Sequence, residues 1–342
     1  MCMRTNFAAV FTTLTLIFFA LCQPDGSGRA SAVGSTRPIH HYVFFGMDRE
    51  QLKDAKLFLE TKTFEGAQIS YSWRQLEQGK DNYEFSQIRE DLVFLESHGK
   101  KLWIQLQDVT FNANRVAVPK YLLNDPKYNG GADKQYKDRP LDEDHPQDGG
   151  WVARRWDPAV QERLYKLFAA LGKEFDGKIA GINLDETSVA FGNTGKLWPR
   201  GYTPETYRDA IIANMKVLKS GFPKSIAMQY ANFMPAGRAD LERVYRAARE
   251  SHVAVGGPDL LPFRPFQSAN SYPLIRESAG IVPTGLAVQD GNYGDLNSET
   301  GRRASIEALV KFAIGLKLDY VFWCTEEPYY SNELVPFMKK AK

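Results

Sequence analysis

The chain has 342 residues, 43% hydrophobic and 25% charged, which is ample for a sizeable core. Lys and Arg number 43 against 41 Asp and Glu, a net charge of +2, so nothing in the charge points to a polyanionic partner such as nucleic acid. Aromatic residues reach 13%, with 6 Trp, 16 Tyr and 21 Phe. Such a content suits a large core or a cleft whose rings stack on sugar C–H faces.

At the N-terminus, Arg4 precedes an apolar run over Phe7–Leu21, and Ala30-Ser31-Ala32 supplies a small-x-small pattern. This reads as a signal peptide over residues 1–32, with cleavage near Ala32 and export to the periplasm or medium. The run is short for a membrane span. Cys22 is the position a lipoprotein would use, but Leu21 is bulky for a lipid-attachment signal. Cys2 and Cys22 lie in or beside the segment, so the mature chain keeps Cys324 and forms no intramolecular disulfide.

From residue 38 onward, strand-like and helix-like stretches alternate. Strands are expected at His41–Met47, Ala67–Trp73, Lys101–Asp108, Ile179–Glu186, Ser225–Asn232, His252–Asp259, Thr284–Asp290 and Tyr320–Thr325. Helices are expected at Glu50–Thr61, Ser86–His98, Pro158–Phe175, Pro204–Ser220, Arg238–Glu250 and Arg302–Leu316. Asp157-Pro158 and Thr203-Pro204 each place a capping residue before a proline at the first helical position. Gly99, Gly177 and Gly221 follow helix ends, where glycine takes a left-handed conformation cheaply. Eight β-α units in one uninterrupted domain, 38–342, predict an α/β fold, a (β/α)8 TIM barrel. A doubly wound sheet would want a glycine-rich phosphate loop after the first strand, and none is there. The connection Val109–Trp156 is unusually long and follows the third strand, where it could wall a cleft.

Alternation assigns strand faces. Ala67, Ile69 and Tyr71 oppose Gln68, Ser70 and Ser72. Leu102, Ile104 and Leu106 oppose Gln105 and Gln107; Ile182 and Leu184 oppose Asn183 and Asp185; Leu286 and Val288 oppose Ala287 and Gln289. The polar faces read as the barrel interior, with Gln107, Asp185 and Gln289 near strand C-termini. Strict parity turns Asp185 inward and Glu186 toward a helix, but parity often fails at a strand's last residue. Either acid could be the functional one.

The segment "YSWRQLEQGKDNYEFSQIREDLVFLESHGKKLWIQLQD" resembles the second and third units of (β/α)8 glycoside hydrolases, in which a Trp-Arg pair, here Trp73-Arg74, ends the second strand. The resemblance continues through "LDE" at the fourth strand and "VFWCTEEPYY" at the eighth. It implies a glycosidase of the retaining clan. The general acid/base of that clan falls on Glu186, with Asp185 where an Asn is usual. The clan's nucleophile, a Glu ending strand seven, has no counterpart: the chain reads "AVQDGNYG", offering Gln289 and Asp290. Glycoside cleavage needs one carboxylic acid to protonate the leaving oxygen and one carboxylate to attack or to activate water. Candidate partners are Glu327, ranked first because Trp323, Thr325 and Glu327 share a face, then Asp290, and Glu326. The resemblance puts Trp323 under the sugar; Trp73 and Tyr293 are further platforms, and Trp151, Trp156 and Trp198 could extend the cleft. Arg74, Gln107, Asp185, Asn232, Asp259 and Gln289 complete the expected carbohydrate contacts.

A metal-dependent hydrolase would need several His and Asp ligands at strand C-termini. His40, His41 and His252 lie at strand starts instead, so the reading calls for no metal or cofactor. The expected protein is an exported, monomeric glycosidase acting on a poly- or oligosaccharide. The rival is a barrel that binds polysaccharide without cleaving it.

Overall fold

A computed structural model describes residues 38–137 and 142–340. The expected signal peptide, Cys2 and Cys22 lie outside the described residues. Eight parallel strands close into a barrel: β1 (His40–Phe44), β2 (Phe64–Ser72), β3 (Lys101–Gln107), β4 (Gly181–Leu184), β5 (Ile226–Tyr230), β6 (Ala254–Gly257), β7 (Thr284–Val288) and β8 (Tyr320–Cys324). β8 pairs with β1 to complete the circle. All eight strands fall where the alternation placed them, shortened by a residue or more at most ends.

The helix punctuation works as the sequence suggested. Asp157 accepts from the backbone N–H of Ala159 and Val160 at the start of Pro158–Phe175. Thr203 forms a capping box with Thr206 at the start of Pro204–Gly221. The run expected as one helix over Glu50–Thr61 is two short ones, Arg49–Lys53 and Lys56–Glu60, separated at Asp54 and Ala55. The last barrel helix starts at Ile306, four residues later than expected, because Ser305 accepts from the N–H of Ala308 and caps it there. Gly221 is not a left-handed cap. It ends its helix in contact with Gly172, where an added Cβ would lie 2.1 Å from the Gly221 carbonyl oxygen, so these helices cross on glycine because no side chain fits.

The barrel interior is a separate layer from the helix-facing core. Tyr42, Trp103, Met228, Tyr230, Ala254, Ala287 and Phe322 cluster inside it. Trp103 plugs the middle, edge-on to Phe322 with ring centroids 4.9 Å apart. Gly181 faces it on β4; a Cβ there would come within 2.8 Å of the indole ring, so the bulk of one strand requires the absence of bulk on its neighbour. Buried polar groups bond across strands: Asn183 Oδ1 accepts from Gln68 Nε2 at 2.9 Å and from Trp103 Nε1 at 3.0 Å, and the Ser70 hydroxyl donates to Gln105, while the side-chain oxygens of Gln68 and Gln229 are buried without a partner.

The long connection after β3 carries its own structure. Val109–Thr110, Asp148–Ala153 and Ala132–Tyr136 form a three-stranded antiparallel sheet standing at the C-terminal end of β3.

Candidate active site

The C-terminal ends of the strands surround a cavity of about 330 Å³ lined by Phe44, Gln105, Gln107, Asp185, Glu186, Tyr230, Gln289 and Asp290. The excursion after β3 supplies the rest of the wall through Val109, Thr110, Phe111, Asn112 and Arg115. Barrel geometry explains the convergence: inward residues of neighbouring strands meet, and whatever follows each strand's last residue forms the rim.

Both acids of the fourth strand reach this cavity. Asp185 continues the inward parity of Asn183. β4 ends at Leu184, so Glu186 lies past the regular pleat and also lines the space. Asp185 is buried, and its Oδ2 accepts from the backbone N–H of Asp108 at 3.0 Å and of Val109 at 3.1 Å. Burial and the neighbouring Asp108 carboxylate push its pKa upward, against the pull of Arg155 and the two N–H donors.

Glu186 is half-buried. Its Oε2 accepts from Nδ2 of Asn232. Burial lifts its pKa from 4.5 to about 7; the Asn232 hydrogen bond and Arg155 oppose that rise, and the charge of Asp259 adds to it. A carboxyl group with a pKa near neutrality can hold a proton for a leaving group and take one back.

Behind the acids sits a buried ion pair that the sequence reading missed. Arg155 grips Asp108 through two guanidinium nitrogens, Nε at 2.8 Å and Nη2 at 2.5 Å. Its Nη1 donates to the Tyr207 hydroxyl at 3.0 Å and to the Glu186 backbone carbonyl at 3.3 Å. The pair spans 47 residues of sequence, so no local pattern could reveal it. Asp108, next to the end of β3, was the only visible half.

The other expected residues divide. Gln107 lines the cavity with Arg115 donating to its Oε1. Asn232 is held against Glu186. Asp259 stands behind the rim, accepting from Gln267 at 3.0 Å and from Asn292 at 2.9 Å; Asn292 in turn accepts from the Gln289 N–H, which ties β7 to that corner. Arg74 turns away, donating from Nε to the Val118 carbonyl at 2.8 Å.

None of the expected Trp and Tyr platforms lines the cavity. Trp73 is fully buried in the outer core with Nε1 donating to Glu77. Tyr293 is buried and donates to the Cys324 carbonyl. Trp156 packs on Phe191, Tyr202 and Tyr207, Trp198 on Tyr202, and Trp151 donates to the Ala113 carbonyl. Trp323 is on the wrong face of β8. Register pairs Phe322 with the inward Tyr42 and Trp323 with the outward Val43, so Trp323 is buried outside the barrel, donating to His41 at 3.1 Å. Glu327 lies in the turn past the end of β8 and is turned away as well: it is exposed and accepts from the Ser331 N–H at 3.2 Å. Glu326 accepts from the Gly291 N–H at 2.8 Å and does not line the cavity. Of the three candidate partners, Asp290 shares the cavity with Glu186. The cavity's aromatic groups are Phe44, Phe111 and Tyr230.

No protein-family model and no curated protein sequence matches this chain. Solved structures do. Endo-glycoceramidase II from Rhodococcus sp., as its lactosyl-enzyme intermediate, aligns with a TM-score of 0.55 at 12% identity, over 88% of this chain and 78% of that one. A β-galactosidase from Bacillus circulans sp. alkalophilus aligns with a TM-score of 0.55 at 10% identity, over 83% of this chain and 50% of the longer neighbour. A thermostable mutant of a xylanase from Cellvibrio japonicus aligns with a TM-score of 0.50 at 9% identity, over 84% and 87%. What this chain shares with them is the closed (β/α)8 barrel.

Proposed function

We propose that this protein is an O-glycosidase, exported from the cell, that cleaves a poly- or oligosaccharide at the cavity around Glu186. The observation that carries the reading is a glutamic acid with a pKa lifted to about 7, facing an amide-lined cavity at the C-terminal end of a (β/α)8 barrel. Neighbours of the same fold named endo-glycoceramidase, β-galactosidase and xylanase support the reaction class without agreeing on one sugar.

In this reading Glu186 protonates the glycosidic oxygen as its bond to C1 breaks. Asp290 either attacks C1, after which Glu186 takes the proton of the water that opens the glycosyl-enzyme, or itself takes the proton of a water that attacks C1 directly while Glu186 has given its proton to the leaving oxygen. Asp185, fixed by two backbone donors, holds the end of β4 beside the acid. Gln105, Gln107 and Gln289 offer amides to sugar hydroxyls. The test is a panel of soluble polysaccharides and oligosaccharides with product analysis; new reducing ends from at least one substrate are expected, and none from any would count against it.

One observation favours a second reading. Gln289 directly follows β7, at the place where the hydrolases resembled by the sequence carry a nucleophilic Glu, and an amide cannot attack. Under that reading the cavity binds carbohydrate without cleaving it, and the same panel would show binding with no products.

A further inference from the structure

A second cavity, of about 610 Å³, adjoins the first. Phe111 lines both. Apolar side chains dominate the second: Phe111, Phe233, Met234, Leu241 and Phe266. Its position follows from the chain. Ser188, two residues past Glu186, and Phe233, the residue after Asn232, line it, so it opens beside the proton donor.

Two facts bear on its occupant. Phe111 and Phe266 are 64% and 70% exposed, and they are the large exposed aromatic residues among those described. Isolated apolar residues on a surface are ordinary, but two such rings on one groove backed by Met234 and Leu241 form a contiguous apolar surface. The polar cavity next to it offers three glutamine amides; this groove has polar side chains at Tyr136, Lys137, Ser188 and Asn270, and the rest of its side-chain wall, Phe111, Ala190, Phe233, Met234, Leu241 and Phe266, carries no side-chain nitrogen or oxygen for a hydroxyl group. A sugar lying along that apolar wall would lose hydrogen bonds to water without replacing them there. A hydrocarbon chain would lose nothing.

We propose that this groove binds an alkyl or acyl chain, the apolar leaving group of a glycolipid-like glycoside. The word leaving group rests on the glycosidase reading: Glu186 protonates the departing oxygen, so the departing group lies on its side of the site. Chain binding itself does not depend on turnover.

The test is calorimetric titration of the whole protein with n-butyl, n-hexyl and n-octyl β-D-glucoside, each below its micelle concentration. The head group is constant, so differences report the chain. A fully buried methylene is worth roughly fourfold in affinity, and a groove covering half of each gives about twofold, or roughly 16-fold from butyl to octyl. Phe266→Asp should reduce octyl affinity about fivefold and barely change butyl affinity, and Phe266→Leu should recover most of the octyl affinity. Phe266 is exposed on the short helix Pro265–Ala269, so these variants are expected to fold, which circular dichroism checks. Equal affinity for all three glucosides would overturn the proposal. So would a linear hexasaccharide that binds more weakly to Phe266→Asp while the chain-length gradient is absent, since the groove would then take sugar. A gradient that depends on Phe266 supports the alkyl site even if no glycoside is hydrolysed, and hydrolysis without a gradient removes the alkyl site while leaving the glycosidase reading intact.

Discussion

Asn232 donates its side-chain amide to Oε2 of Glu186, so a residue just past β5 holds the acid just past β4. That bond favours the ionised carboxylate and limits how far burial lifts its pKa. Because a proton donor must be protonated, kcat/KM should fall as pH rises through about 7. Asn232→Ala removes a group that lowers the pKa, so the basic limb should move to higher pH. A pH–rate profile of both proteins checks this; an unmoved or downward-moved limb would contradict it.

The same shift affects stability. Folded Glu186 keeps its proton to about pH 7, while the unfolded chain releases it near 4.5. Between those values the folded state binds the extra proton, so this contribution is complete below about pH 4.5 and is lost as pH rises to about 7. Glu186 is partly exposed, so the loss should be about 1–3 kcal/mol. Glu186→Gln removes it. The Tm advantage of the variant over the parent should therefore grow from pH 4 to pH 8, and a constant difference would argue against a buried titrating acid.

Asp290 and Glu327 separate cleanly by experiment. Asp290 lines the cavity, and Glu327 is exposed and occupied with Ser331. Asp290→Asn should lower kcat at least a hundredfold, whereas Glu327→Gln should leave kcat/KM within about twofold. Reversed outcomes would restore the order of candidates that sequence alone suggested.

Arg155 is the charge on which the back of the site depends. Arg155→Ala would leave Asp108 buried without its partner, beside Asp185, and should cost about 3–5 kcal/mol in urea unfolding. A change below about 1 kcal/mol would show that the pair is not what holds the ends of β3 and β4 together.

The strands and most helices were legible because each rests on local rules: alternation, a capping residue before proline, a glycine after a helix. Glu186 was legible because a run of small and apolar residues ending in two acids is visible in one stretch. Trp323 was misread because its face is set by pairing with β1, some 280 residues away, and parity along β8 does not say which of its two faces is inside. Arg155–Asp108 was invisible for the same reason, since two residues 47 apart meet only once β3 and the excursion are folded. Phe111 and Phe266 carry no motif; their groove exists only where the excursion after β3 meets the segments that follow β4, β5 and β6.

The central claim is that Glu186 is the proton donor of a glycosidase. The measurement is hydrolysis of each substrate cleaved by the parent, compared with Glu186→Gln at pH 6. The account predicts a loss of about 10²–10⁴ in kcat/KM for unactivated glycosides, with binding retained. A Gln variant that cleaves every such substrate at the parental rate would contradict it.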